Sequence, residues 1–556
     1  MPFSAPLPLP DSLQPLVQHH QDQWRAAVIR AGLETKVAEL DERFANSLGS
    51  VLAGSDFVAE QLRRDPLIAW RLVEDDLLWR SLGKDDMSRM LASALASVCS
   101  EEELAQALRR FRQQQQVRII WRDLTRMAAT AETTRDLSDM ADACIELAYQ
   151  WLYAQACTTW GTPSGSDGQP QHMVVLGMGK LGAQELNLSS DIDLIFAYPE
   201  AGETQGGRRS LSNQEFFIRL GQRLIKSLDA ITVDGFVFRV DMRLRPYGDS
   251  GALVFSFDAL EQYYQSQGRD WERYAMIKAR VVAGDQVAGA ELQAMLKPFV
   301  YRRYLDFAAI EALRSLKLMI QREVQRKGLQ DNVKLGAGGI REIEFIGQAF
   351  QLIHGGRDRG LQQRPILSVL DMLATNSYLP DEAVDELKGA YLFLRDTEHA
   401  LQALDDRQTQ MLPTDAQSQQ RIAYVMGFAD WAAFRAVLDC QRERVARHFA
   451  GVIADPDTEH DEELPLHSEW MPVWEGSLDA QQRIEQLSEG GFRQPEEALR
   501  LVQGLHESGR VRSMQRLGRE RLDVFMPRLL GMASEQENPD LALERVLPLV
   551  EAVARR

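Results

Sequence analysis

Cysteine is scarce and never paired in sequence: Cys99, Cys144, Cys157 and Cys440 stand far apart, with no C-x-x-C among them. That spacing points to neither a disulfide framework nor a thiolate zinc site, and it fits the reduced cytoplasm. No run approaches the ~18 apolar residues of a membrane span. The start, Met-Pro-Phe-Ser-Ala-Pro-Leu-Pro, has neither the basic nor the apolar region of an export signal. A soluble, unexported chain is expected. Positive charge is also in deficit: 63 Lys and Arg face 81 Asp and Glu, a formal charge of −18, which argues against bulk binding to nucleic acid or an anionic membrane. A local basic site could still hold a nucleotide.

What remains is a globular chain of 556 residues, 45% hydrophobic and 26% charged, long enough for about three or four domains. Residues 1–157 are helical in pattern, with a capping pair Ser100 and Glu103 ahead of Leu104, Leu108 and Phe111. A Gly/Ser/Pro-rich loop at 158–171 precedes a mixed α/β stretch, 172–305. Helical spacing returns over 306–450, with Ile310, Leu313, Leu316, Leu318 and Ile320 expected inside and His399 read as an interior histidine rather than a ligand. Residues 451–480 hold nine acids, three prolines and no Lys or Arg, which reads as an acidic linker. Residues 481–556 begin a further helical region whose run Arg510, Arg512, Arg516, Arg519 and Arg521 reads as a solvated helix face. The expected fold class is α+β and predominantly helical, a small mixed-sheet domain flanked by N-terminal and C-terminal helical domains.

The chemistry concentrates at residues 173–198. An apolar run, Met173 to Leu176, feeds Gly177, Gly179 and Gly182, and after eight intervening residues Asp191 and Asp193 open a second apolar run, Leu194 to Tyr198. Alternation along a strand puts both aspartates on one face, where their oxygens can converge on a hard cation. The glycines also satisfy the G-x-G-x-x-G dinucleotide fingerprint, but a parallel crossover needs at least ~10 to 12 residues and its single acid lies ~20 residues on. A short turn and a neighbouring strand fit better. Two idle charges are improbable beside the apolar run Ile192, Leu194, Ile195 and Phe196.

Residues 235–246 read as a β-rich strand ended by Pro246, with Asp241, Arg243 and Arg245 in one register, and a helix capped by Ser212 and Glu215 lies between. Three clustered aspartates repel one another by about 4 kcal/mol per pair at ~4 Å and an effective dielectric of about 20. A divalent cation removes that cost, and oxygen-only ligation favours magnesium or manganese. Two such ions would serve an in-line displacement at phosphorus. Arg243 and Arg245 would clamp phosphate or else form salt bridges to Asp241 or Asp249. The Gly177 to Gly182 turn, with Ser189 and Ser190, would cradle phosphate. Lys180 is either a helper there or a solvated loop lysine.

At these residues the chain resembles the DNA polymerase beta-like nucleotidyltransferases: a Gly/Ser loop, an Asp-x-Asp strand and a later third Asp. More specifically, it resembles the glutamine synthetase adenylyltransferase/adenylyl-removing enzyme family. The likeness is carried by Gly-Met-Gly-Lys-Leu-Gly, Glu185-Leu186-Asn187, Ser189-Ser190-Asp191-Ile192-Asp193-Leu194, Val240 through Pro246 and Gly248-Asp249-Ser250-Gly251. It continues through Asp270-Trp271-Glu272-Arg273-Tyr274, Lys278-Ala279-Arg280, Lys334 and Gly338 to Phe345. Family members are about twice as long and carry two such halves, whereas one Asp-x-Asp site is found here. A piece of a longer two-site enzyme is therefore expected, similar to the N-terminal half.

That resemblance implies phosphorolysis of an AMP-tyrosine linkage on glutamine synthetase, with inorganic phosphate consumed and ADP released. Asp191, Asp193 and Asp241 would be the metal ligands, and a PII-type signal protein is an implied partner. Two other readings use the same residues: forward transfer of AMP from ATP to a protein hydroxyl, and a noncatalytic nucleotide-sensing module.

Overall fold

The computed structural model describes residues 8–302, 313–315, 317–319, 322, 326, 328–452, 468–512, 514 and 516–553. Ile310, Leu316 and Ile320, half of the acidic segment (453–467), and the side chains of Arg510, Arg512, Arg516 and Arg521 lie outside the described residues. The chain divides into two compact units, Met1–Ile453 and Ala454–Arg556.

The first unit is built around a mixed sheet. Its strands are β2 (Val174–Gly177), β3 (Ile192–Tyr198), β5 (Val240–Asp241), β6 (Val254–Ser256) and β7 (Arg280–Gly284), while β1 (Thr162–Pro163) and β4 (Thr204–Gln205) form a separate pair. β2 lies antiparallel between β3 and β7, and β5 and β6 run parallel to successive stretches of β3 along its other edge. The antiparallel β2–β3 pairing, Gly177 opposite Leu194, excludes the dinucleotide crossover, as the short spacing predicted. Val174 to Leu176 and Leu194 to Ala197 are fully buried, the mark of strands covered on both faces.

Helix Asn213–Asp229 covers the sheet, started by Ser212, whose hydroxyl accepts the Glu215 N–H. The Glu215 carboxylate does not return the bond to the cap; it takes Arg219 one turn on. Gly221 lets this helix approach, since a Cβ there would lie 2.9 Å from the Phe196 ring. Thr130–Trp160 packs against β7. Beside it, Glu101–Leu124 begins at the Ser100 cap and is buried on every side from Gln115 to Leu124. The buried arginines there are engaged: Arg118 pairs with Asp136 at 2.7 Å and donates to the Leu77 carbonyl, and Arg122 donates to that of Leu78.

Helices Ile340–His354, Ile366–Thr375, Asp381–Ala403, Ala416–Val425 and Trp431–Gly451 close the other side. Leu313 is buried as expected, whereas Leu318 is half exposed. Residues near 50 and near 410 meet directly. Ser55 donates to the Ala403 carbonyl, Arg421 forks onto Asp56 at 2.8 and 2.9 Å, and Ser50 meets the Tyr424 hydroxyl at 2.9 Å. One hydrophobic core thus runs through the N-terminal helices, the sheet and the C-terminal helices.

The second unit has its own core of Trp470, Val473, Trp474, Leu487, Leu499, Val502 and Met526. This shortens the expected linker. Trp470, Val473 and Trp474 recur at helical spacing, and Trp474 donates to Asp523 at 2.8 Å, so the segment from 468 packs despite its acids.

Candidate active site

β3 and β5 place the acids. In the parallel ladder Ile192 pairs with Val240 and Asp193 with Asp241, and the Ile192 N–H donates to the Arg239 carbonyl at 2.9 Å. Asp193 and Asp241 are therefore side by side on one face, and Asp191, two residues before Asp193, joins them. All three are partly buried and none is sealed. Burial, and then the charges of Asp191 and Asp241, push the Asp193 carboxyl up to about 7, with Lys334 and Arg243 pulling the other way. Hydrogen bonds from Arg243 hold Asp241 below the usual carboxylate range although burial opposes them. Asp191 accepts from Gln408 Nε2 at 2.9 Å.

The predicted strand at 235–246 is cut to two residues. After Asp241 the chain turns: the Arg243 N–H caps Asp241 Oδ1 at 2.8 Å and the Arg245 N–H returns to the Met242 carbonyl at 3.3 Å. Asp241, Arg243 and Arg245 thus do not share an extended register. The two arginines make salt bridges, the second of the alternatives raised for them. Arg243, 72% exposed, forks onto Asp241, and Arg245 lies 3.6 Å from Asp249.

Of the three glycines, Gly179 alone faces the acids. Its φ is +53° and a Cβ there would stand 3.2 Å from Asp193 Oδ2. Gly177 abuts Val282, and a Cβ on Gly182 would fall 1.8 Å from the Lys278 carbonyl oxygen. Both serines have partners within the protein. Ser189 is 2% exposed, donates its hydroxyl to the Asp406 carbonyl at 2.9 Å and accepts from Arg239, while Ser190 Oγ takes the Asn187 N–H. Both shape the turn that delivers Asp191.

In kind the donor set suits a hard divalent cation, being all carboxylate oxygen, and a cation would relieve the repulsion felt by Asp193, but the three do not all bring an oxygen within 4.8 Å of one another. Another group is packed more tightly. Asp123, Asp396 and His399 are the one set of three His, Cys, Asp or Glu among the described residues whose ligand atoms lie within 4.8 Å of one another. His399 is wholly buried, as expected, with Nδ1 3.2 Å from Asp123. Asp396 pairs with Arg126 at 3.4 Å, and Thr133 and Thr130 donate to the two carboxylates. With its own cation in place, this cluster reads as an internal brace between helices. A cavity of about 1040 Å³ bounded by Arg64, Arg71, Gln106, Arg110 and Val233 shares no residue with the three aspartates.

A family model for glutamate-ammonia ligase adenylyltransferase matches residues 45–295, and one for GlnD PII-uridylyltransferase matches 314–453. The bifunctional glutamine synthetase adenylyltransferase/adenylyl-removing enzyme of Pseudomonas putida is 61% identical over 100% of this chain and 57% of its own length. Those of Pseudomonas aeruginosa and Nitrosococcus oceani are 59% and 50% identical, each over 99% of this chain and 56% of the relative. The chain belongs to the glutamate-ammonia ligase adenylyltransferase family. It spans a little over half the length of these relatives and covers their N-terminal half.

In this family member the turn after β2 is anchored from the far side of the fold. Lys180 is not a solvated loop lysine: its Nζ lies 3.1 Å from Glu398 on helix Asp381–Ala403, and burial pushes its ammonium down to about 7. The same helix donates from Arg395 to the carbonyls of Glu185 and Leu186, and Gln402 accepts the Ser189 N–H. Gln408, Glu398 and Gln402 escaped the sequence reading because no local pattern marks them. Gly182→Ala tests the close approach. Its methyl meets backbone rather than a flexible side chain, so a loss of about 1–3 kcal/mol or more is expected as a lowered urea midpoint. An unchanged midpoint would mean that the turn stands off from Lys278.

Proposed function

We propose that the chain removes AMP from a tyrosine of glutamine synthetase by metal-dependent phosphorolysis. The observation that carries this reading is the pairing of Asp193 with Asp241 across β3 and β5, with Asp191 on the same face and Gly179 against Asp193. The names of the relatives, which include adenylyl removal, supply the substrate.

Asp191, Asp193 and Asp241 would hold magnesium or manganese, which would supply charge stabilisation at the reacting phosphorus. Asp241 also faces the nucleophile, where it orients the phosphate or accepts its proton. Gly179 leaves room for the substrate phosphoryl group beside Asp193. One oxygen of inorganic phosphate forms a bond to the α-phosphorus as the bond to the tyrosine oxygen breaks. ADP leaves with the new anhydride and the phenolate is protonated. The half-buried position of the acids lowers the local dielectric, so each charge at the phosphorus counts for more than in water.

The same groups would serve AMP transfer from ATP, and the relatives' names include both activities. Incubating the chain with adenylylated glutamine synthetase, with and without inorganic phosphate, separates the directions. ADP release that requires phosphate is expected. AMP incorporation from ATP without such release would overturn the assignment. A PII-type signal protein is proposed as a regulator on the family likeness.

A further inference from the structure

Lys334 lies on the loop Leu329–Gly339, more than ninety residues beyond Asp241, yet hydrogen bonds tie that loop to the segment that holds Asp191. The Val333 N–H donates to the Gln410 carbonyl at 2.9 Å and the Leu412 N–H to the Asp331 carbonyl at 3.0 Å. Two residues before Gln410, Gln408 holds Asp191. The loop is pinned internally as well. Asn332 Oδ1 takes the N–H groups of Lys334 and Leu335, the Arg341 N–H donates to the Lys334 carbonyl, and Arg442 donates to the Ala337 carbonyl. Gly338, at φ +68°, sits so close to the Arg442 backbone that a Cβ would fall 2.1 Å from its carbonyl oxygen. Most of these bonds fix backbone, Asp331 adds an ion pair with Arg435 at 2.7 Å, and the Lys334 side chain makes no ion pair of its own among the described residues.

That side chain is partly buried, and no carboxylate lies within 4.0 Å of its ammonium among the described residues. The nearby acids are spoken for: Glu344 pairs with Lys278 at 2.8 Å, and Glu398 with Lys180 at 3.1 Å and Arg395 at 3.7 Å. Its field nevertheless reaches Asp193, Lys180, Glu398 and Glu344. A partly buried cation on an over-determined loop, close enough to act on Asp193 and without an ion pair of its own, is placed to take an incoming anion. Lys-Leu-Gly occurs twice, at 180–182 and at 334–336; Lys180 has Glu398 as its counter-ion, and Lys334 has none among the described residues.

We propose that Lys334 binds a phosphate oxyanion in the active site, supplied by inorganic phosphate or by the phosphoryl group of the AMP-tyrosine linkage. This rests on the deadenylylation reading for its substrates but not for its chemistry. ADP release by the wild type, Lys334→Ala and Lys334→Arg would be followed with phosphate and adenylylated glutamine synthetase varied in turn. For Lys334→Ala the KM for one of them is expected to rise at least about tenfold, with Arg recovering most of it and the melting temperature within about 2 °C of wild type. A rise for phosphate assigns the contact to the nucleophile, and a rise for the protein assigns it to the AMP phosphoryl group. Constants within about twofold for both substrates, or a loss that tracks melting temperature without rescue by Arg, would overturn the proposal. If the wild type releases no ADP, the deadenylylation reading fails by itself. Phosphorus NMR titration with inorganic phosphate and with ADP then decides for Lys334: weaker binding of either by Lys334→Ala upholds the site, and equal or absent binding of both removes it.

Discussion

Asp193→Asn is expected to cut phosphate-dependent ADP release by several orders of magnitude, on the order of 10³ or more, while leaving the protein folded. Asp193 is the central acid, paired with Asp241 across the ladder and two residues from Asp191. Asparagine keeps the shape and removes both a metal ligand and a charge. Because burial and two like charges already press on the Asp193 carboxyl, the amide relieves repulsion in the resting protein. The melting temperature of the variant should equal or exceed that of wild type. Loss of turnover at undiminished stability is the signature of a group whose charge serves the reaction. Turnover within about tenfold of wild type would remove Asp193 from the site.

Glu398→Gln is expected to have the largest effect on stability. The carboxylate is wholly buried and faces Lys180 and Arg395, and those cations hold it below its usual range despite burial. Its amide leaves two cations without a counter-charge, a loss of about 3–5 kcal/mol when one partner of a buried pair is removed. The loss should shrink as pH rises. Lys180, lowered to about 7 in the folded protein against 10.5 as the ordinary value, binds fewer protons folded than unfolded between those values, so its own contribution to stability grows upward through pH 7. Once Lys180 is neutral, the variant forfeits only the Arg395 attraction. Urea midpoints at pH 6 and pH 9 check this, and a deficit that is equal or larger at pH 9 would contradict it.

The three aspartates were legible because period-two alternation leaves a clear trace: polar residues at 191 and 193 against buried Ile192 and Leu194, and Asp241 in a β-rich run. The predominantly helical α+β class was legible for the same kind of reason. Where β5 stops was not. Asp241, Arg243 and Arg245 alternate as a strand would, and only the structure reveals the turn bond from Arg245 to Met242. Ser189 looks like part of a phosphate loop until a carbonyl 217 positions away captures its hydroxyl. Lys180, Glu398, Gln408 and Lys334 share that difficulty, since tertiary contacts give each its role.

The contacts of Ser55 and Asp56 with Ala403 and Arg421 bear on how the molecule is made. Ser55 waits for a partner 348 positions further along the chain. On a ribosome adding ~5–20 residues per second, that interval is roughly 20 to 70 s. During it, the apolar faces of the first helices, including Val51, Leu52 and Val58, stand without their final neighbours. Nascent chains halted before residue 400 should therefore engage chaperones that chains halted beyond residue 450 have released.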